Sequence, residues 1–151
     1  MESVSSNSNI TIEFVPSAYR TSLSLPLVTA QVAAGFPSPA DDYIDGAIDL
    51  NETLISNPAA TFYARVQGDS MVKAGIYDGD LLVVDRSLTC EDKCIVVAMV
   101  NGDFTVKRIK IAGSQYYLIP ESDDYQPLAI TEDMDFEIWG VVTSVIRQFR
   151  K

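Results

Sequence analysis

The chain has 151 residues, 47% of them hydrophobic, which is enough for one domain with a buried core. Acidic residues outnumber basic ones by 21 to 11, so the formal net charge is −10 and the isoelectric point is about 4.2. This balance argues against a protein that grips nucleic-acid phosphates, and no direct specific nucleic-acid binding is expected. A small basic cluster, Arg147, Arg150 and Lys151, is interpreted as a solvated chain end.

The sequence predicts neither a targeting segment nor a membrane segment. The N-terminus lacks the basic and apolar regions of a signal peptide, and no run approaches the roughly 18 apolar residues of a membrane-spanning helix. A cytoplasmic protein without membrane association is therefore expected. Cys90 and Cys94 have no second cysteine pair and no histidine to complete a zinc site. We expect no metal, no cofactor, and two half-buried thiols in a reducing compartment.

Residues 1–42 are predicted to form a flexible N-terminal arm, because Ser, Asn, Thr and Pro dominate and no helical periodicity is sustained. Pro37 and Pro39 bias the residues before them away from helix. The sequence Asp-Leu-Asn-Glu at 49–52 predicts the start of one short helix over 49–55, and Pro58 ends it. A single domain is expected to occupy residues 43–151.

From residue 60 onward the pattern is typical of β-structure. A Gly-Asp turn is followed by one helical turn at 70–74, and Asn101-Gly102 is a strong hairpin signal. Many short strands separated by turns predict a mainly β fold, with strongly bent, partly barrel-like antiparallel sheets, one or two short helices and an extended N-terminal arm. The predicted strands are 61–66, 81–85, 94–100, 104–111, 116–120, 128–130 and 136–146.

Ser70 and Lys107 are the candidate catalytic pair. Without histidine there is no Ser-His-Asp triad and no Cys-His pair. A serine nucleophile then needs another base, and a desolvated lysine is the known substitute. Burial lowers the pKa of a lysine by up to about 3–5 units. The turn that carries Ser70 makes the backbone N–H groups of Asp69, Ser70 and Met71 candidates for an oxyanion hole. From the residues alone, a structural turn at Ser70 with a solvated edge lysine at Lys107 is a slightly better interpretation than a catalytic pair.

Ser70 and Lys73 also form a Ser-x-x-Lys motif, which occurs in penicillin-recognising enzymes. Those enzymes further need Ser-Asp-Asn and Lys-Thr-Gly. The sequence Ser-Asp-Asp at 122–124 misses the first motif, and nothing supplies the second. Lys73 is therefore expected to be a solvated residue on a short turn.

Three motifs in this order and spacing, at residues 68–71, 75–85 and 104–108, resemble the LexA/UmuD self-cleaving serine peptidases. The residues Ala34 and Gly35 resemble the scissile bond of that family. The sequences at 49–51, 118–120 and 140–142 extend the match, which covers roughly residues 28–150. The resemblance implies that Ser70 is the nucleophile, that Lys107 is the general base, and that the bond between Ala34 and Gly35 is cut.

The segment before the expected cut is short, which favours the UmuD branch of the family over the repressors, because the repressors carry an N-terminal DNA-binding domain. The resemblance implies a homodimer, a UmuC-like translesion DNA polymerase as partner, and a RecA filament on single-stranded DNA that stimulates the cut during the SOS response. Two alternatives stay open. One is a non-catalytic, partner-docking dimer module, and the other is the C-terminal domain of a LexA-like or phage repressor.

Overall fold

The computed structural model describes residues 10–13, 22–28 and 44–150. The described residues form ten strands, one short α-helix and two 3₁₀ turns, so the prediction of a mainly β fold is confirmed. In chain order the elements are β1 (Ile10–Glu13), β2 (Leu25–Val28), β3 (Ile44–Ile48), α1 (Leu50–Leu54), a 3₁₀ turn (Pro58–Ala60), β4 (Thr61–Val66), a second 3₁₀ turn (Val72–Ala74), β5 (Leu81–Asp85), β6 (Ile95–Val100), β7 (Asp103–Ala112), β8 (Gln115–Ile119), β9 (Leu128–Ala129) and β10 (Phe136–Ile146).

Eight strands form one antiparallel sheet in the order β1-β4-β5-β10-β6-β7-β8-β9, and β2 pairs with β3 in a separate hairpin. The long strand β10 pairs with β5 on one side and β6 on the other, and its register shifts once along each partner. Such bulges bend a sheet and increase its twist. At Gly140, next to one shift, a Cβ atom would lie 2.7 Å from Val84 Cγ1, so a larger residue does not fit without movement.

The core lies on the inner face of the bent sheet. Side chains of β4 alternate between half-buried and buried, as a strand with one covered face requires. Its buried side chains, with those of β5 and β7, form one apolar cluster, and Trp139 packs edge-on against Phe104 and Phe62 beside it. Two residues of this cluster, Met71 and Val106, are the sequence neighbours of Ser70 and Lys107. The backbone that carries Ser70 and Lys107 is therefore anchored in the core by these neighbouring side chains.

The predicted short helix is present as α1, and its N-terminus is capped by Asp49. The Asp49 carboxylate accepts hydrogen bonds from the N–H of Asn51 at 2.9 Å and from the N–H of Leu23 at 3.0 Å. A cap of this kind satisfies one of the free N–H groups at a helix start. The same carboxylate therefore also fixes the chain just before β2.

The arm region contains more structure than its composition predicts. Strand β1 joins the large sheet by pairing with β4, and β2 pairs with β3. Strands β1 and β2 have four residues each, which is too short for a clear pattern, and each depends on a partner strand for its backbone hydrogen bonds. Ala34 and Gly35 lie outside the described residues. Within ranges 10–13, 22–28 and 44–150, no helix is long and apolar enough to cross a membrane.

Candidate active site

Ser70 lies in the turn that follows β4, just before the second 3₁₀ turn. The turn begins at Gly68, whose φ of 96° lies in the left-handed region that favours glycine. The Gly68 N–H donates to Asp78 Oδ1 at 2.8 Å, and the Ser70 carbonyl accepts from the Glu121 N–H at 2.8 Å. The side chain of Ser70 is fully buried. The serine is thus held from two sides.

Lys107 lies in the middle of β7 and is only 5% exposed. Its Nζ donates hydrogen bonds to Ser70 Oγ at 3.0 Å, to Thr105 Oγ1 at 2.7 Å and to the Val106 carbonyl at 3.2 Å. Thr105 lies two residues before Lys107, so both side chains are on the same face of the strand. The fold thus brings together the serine and the lysine that the sequence analysis paired.

Burial lowers the pKa of Lys107 from 10.5 to about 8. At pH 7 about one lysine in ten would then be neutral, against about one in 3,000 for an ordinary lysine. A neutral amine keeps two N–H donors and gains a lone pair. Two donors suffice for Thr105 and Val106, which leaves the lone pair facing the Ser70 hydroxyl. This geometry suits proton transfer from serine to lysine.

The loop between β8 and β9 packs against the Ser70 turn. The Lys73 N–H donates to the Glu121 carbonyl at 2.8 Å, and the Tyr125 hydroxyl donates to Asp69 Oδ1 at 2.6 Å. The Glu121 carboxylate in turn pairs with Arg108, the residue after Lys107. Glu121 therefore links the serine turn to the lysine strand. Glu121, Thr105 and Tyr125 were not among the predicted site residues.

Lys73 lies on the short turn as predicted, with its side chain 54% exposed and paired with the Asp123 carboxylate. Its ammonium group therefore has solvent and a carboxylate to stabilise its charge. The oxyanion-hole candidates are the backbone N–H groups of Asp69, Ser70 and Met71. Among the described residues, the N–H groups of Asp69 and Met71 have no hydrogen-bond acceptor, which is the state that an oxyanion hole needs before substrate arrives.

Arg147 holds the segment after Ser70 in place. The basic cluster that contains Arg147 was predicted to be a solvated chain end. Arg147 instead donates to both carboxylate oxygens of buried Asp80, at 2.6 Å each, and to the Gly75 carbonyl at 2.8 Å. Burial raises the pKa of Asp80, but the hydrogen bonds from Arg147 and from the Tyr77 N–H, together with the charge of Arg147, outweigh that effect and leave the pKa below its usual value. The end of β10 thus ties down the loop that supports the serine.

The chain matches the Peptidase S24-like family over residues 26–143. It is 44% identical to protein MucA of Salmonella typhimurium over 121 residues, which is 80% of this chain and 82% of MucA. It is also 44% identical to protein ImpA of Escherichia coli over 126 residues, which is 83% of this chain and 86% of ImpA. A LexA repressor of Acidithiobacillus ferrooxidans is 45% identical over 126 residues, which is 82% of this chain and 60% of the repressor.

These matches cover both Ser70 and Lys107 and most of the eight-stranded sheet. Membership in a peptidase family supports a serine-peptidase kind of activity. The chain belongs to the Peptidase S24-like family, the LexA/UmuD self-cleaving serine peptidases that its motifs resemble.

Proposed function

We propose that this protein cuts its own chain between Ala34 and Gly35, with Ser70 as nucleophile and Lys107 as general base. The observation that carries the proposal is the hydrogen bond of 3.0 Å between Lys107 Nζ and Ser70 Oγ in a buried setting. Burial lowers the pKa of this lysine to about 8, so a useful fraction is neutral near pH 7. In this pair the lysine replaces the histidine of a triad.

The reaction proceeds in two halves. Neutral Lys107 Nζ takes the Ser70 hydroxyl proton while Ser70 Oγ attacks the carbonyl carbon of Ala34. The negative charge that develops on the Ala34 oxygen is stabilised by the candidate N–H groups at the serine turn. Lys107 then gives its proton to the Gly35 nitrogen, and the peptide bond breaks. Water, deprotonated by Lys107, hydrolyses the ester at Ala34 and restores Ser70.

The hairpin of β2 and β3 presents the substrate segment. β2 ends at residue 28 and β3 begins at residue 44, and the bond to be cut falls in the connection between them. Holding a substrate on the same chain removes much of the entropic barrier, so a modest catalyst suffices. The small residues at 33–35 suit an extended segment entering a narrow cleft. An activator would favour the state in which the bond between Ala34 and Gly35 reaches Ser70.

The activator is a RecA filament on single-stranded DNA, and the cut protein acts as a cytoplasmic homodimer that serves a UmuC-like translesion polymerase in the SOS response. The identity to MucA and ImpA over more than four-fifths of each relative supports this context. Self-cleavage then converts a DNA-damage signal into a change in the accessory subunit.

The test is the intact mass of the protein after incubation, with and without the filament, from neutral to alkaline pH. Removal of residues 1–34, absent in a Ser70→Ala variant, is the expected result. Alkaline pH should speed the reaction even without the filament, because it removes the proton from Lys107. An unchanged mass under every condition, filament included, would instead favour a non-catalytic docking module.

A second candidate function is that of a repressor C-terminal domain, favoured by the 45% identity to a LexA repressor. The two candidates share the cleavage chemistry and differ in what the cut controls. A repressor loses affinity for an operator when cut, whereas an accessory subunit changes its affinity for a polymerase. Measuring both affinities before and after cleavage separates them.

A further inference from the structure

Strand β1 covers an edge of the large sheet. It pairs antiparallel with β4, with Ile10 opposite Val66 and Ile12 opposite Ala64. Ile10 is only 9% exposed and belongs to the core cluster beneath the active site, while Ile12 packs against that cluster from the side. Thr11, between them, is exposed. Two isoleucines at alternate positions therefore fill two apolar sockets along β4.

Two facts set β1 apart from the rest of the sheet. It precedes the segment that matches the family, which begins at residue 26. It also precedes the bond proposed to be cut, between residues 34 and 35. After that cut, β1 is no longer covalently joined to the domain, and β4 becomes the last strand of the sheet at that end.

We propose that the β4 edge is a strand-addition site, held by β1 in the intact chain and opened by cleavage to an extended segment of a partner protein. The switch rests on the proposed self-cleavage, while the binding site itself does not. A free sheet edge exposes unpaired N–H and C=O groups, which a further strand satisfies. This mode of recognition, in which a peptide extends a sheet, uses backbone hydrogen bonds for affinity and side-chain sockets for specificity.

The residue pattern of β1 and its pairing with β4 define the partner segment that this site would bind. It has apolar, β-branched residues at two positions separated by one residue, and it runs antiparallel to β4. The residue between them faces solvent, as Thr11 does.

Cleavage changes the effective concentration of β1. While attached, β1 binds intramolecularly, and segments linked to their own binding site reach effective concentrations of about millimolar order. Once cut, it is diluted to the concentration of the protein. The fragment released by the cut carries β1 and also β2, which pairs with β3, so β1 leaves β4 only if the dissociation constant of that whole fragment exceeds the protein concentration. The two sockets that Ile10 and Ile12 leave are then available to any segment with the same pattern.

The experiment uses full-length protein carrying Ser70→Ala, so its outcome does not depend on cleavage. A peptide of residues 8–15 is titrated while the backbone amides are followed by NMR. The test chain carries Ile10→Lys and Ile12→Lys, which should free the edge, and the matched control carries Thr11→Lys, which should not. A peptide with both isoleucines replaced by lysine tests whether binding depends on the two isoleucine side chains.

We expect saturable shifts centred on β4 in the test chain, with a dissociation constant between about 10 µM and 1 mM. The Thr11→Lys chain should respond at least about tenfold more weakly, and the lysine peptide should not bind. Absence of binding to a folded test chain, equal binding to both chains, or a dissociation constant below about 1 µM would overturn the proposal. If the double variant does not fold, Ile12→Lys alone is used. If that also fails to fold, β1 is an integral core strand and the proposal is wrong.

Discussion

Two lysines compete for the role of base to Ser70, and they differ in surroundings rather than in chemistry. Lys73 is three residues away in sequence, is 54% exposed and pairs with Asp123. Lys107 is 37 residues away, is 5% exposed and has only hydroxyl and carbonyl partners. Lys73 lies beside solvent and a carboxylate, whereas burial disfavours the charged form of Lys107. Proximity along the chain is therefore a poor guide to the base.

The fold supplies the burial that distinguishes Lys107 from Lys73. β7 holds Lys107 in an apolar layer, and Val106 beside it is part of the core. The cost of keeping this lysine buried is a loss of stability that the rest of the core must offset. Under the proposed mechanism, that cost provides a base able to work near neutral pH without histidine. Substitutions of Ser70, Thr105 and the two lysines test that difference.

Replacing either member of the buried pair should have the largest effect. Ser70→Ala should abolish self-cleavage, because no nucleophile remains. Lys107→Ala should lower the rate by about 10²–10⁴-fold or more, the usual contribution of a general base. The cut fraction is measured by intact mass at fixed times. Each variant must keep the cooperative thermal unfolding of the parent, and cleavage in a folded Ser70→Ala chain would contradict the assignment.

Lys107→Met should change how stability depends on pH. Below about pH 8 both states carry the proton, and the folded state bears the full cost of the buried charge. Between about pH 8 and 10.5 the unfolded chain keeps the proton that the folded chain has released, so stability rises with pH by about 3 kcal/mol. The Met variant should lack this rise. Urea unfolding of both chains, each with Ser70→Ala, measures the difference, and parallel curves would argue against a depressed pKa.

The rate of self-cleavage should follow the neutral fraction of Lys107. Below about pH 8 it should rise about tenfold per pH unit and then level off above that value. The rate is taken from initial slopes at constant ionic strength without activator. A profile that still rises tenfold per unit between pH 9 and 10 would indicate a lysine with an ordinary pKa.

Thr105→Val should separate orientation from basicity. Valine keeps the shape of threonine but removes the hydroxyl that accepts a hydrogen bond from Lys107 Nζ. Loss of one such bond, worth about 1 kcal/mol, should lower the plateau rate by about threefold to tenfold. The charged amine loses an acceptor, so the midpoint of the pH profile should move to lower pH. A purely structural role for Thr105 would leave that midpoint unchanged.

Lys73→Ala should have the smallest effect. The Lys73 side chain contributes only an exposed ion pair, and such pairs are worth about 0–1 kcal/mol. Its backbone N–H, which holds the Glu121 loop, is retained in alanine. We expect less than about a threefold change in cleavage rate in the same mass assay. A loss as large as that of Lys107→Ala would reverse the assignment of the base.

Much of the fold follows from local pattern. The strands Thr61–Val66, Leu81–Asp85 and Phe136–Ile146 have the predicted bounds, because alternation or continuous apolar runs end at clear turn residues. Strand β1 was missed, because three alternating residues between Ser and Asn on one side and Pro on the other give no local signal. Its stability comes from pairing with β4, far along the chain. Contacts of that kind are not encoded in local pattern.

The site was predictable in its chemistry and less so in its surroundings. The absence of histidine, with a serine in a turn and a lysine in a strand, made Ser70 and Lys107 a candidate pair, and the family resemblance implied their roles, which stay a prediction. Thr105 could have been found, since it precedes Lys107 by two residues on the same face of the strand. Glu121 gave no signal, because its role depends on how the β8–β9 loop packs against the serine turn. The cleavage site at Ala34 and Gly35 stays a prediction.

The most direct test of the account is the pKa of Lys107 itself. The chain has five lysines, and ¹³C labelling of their ε-carbons allows each to be titrated by NMR. Ser70→Ala prevents cleavage during the titration, and Lys107→Met assigns the signal. The account predicts that Lys107 titrates with a midpoint near 8. A midpoint at the ordinary value of 10.5 would contradict it, because the buried lysine would then be too rarely neutral to serve as the base.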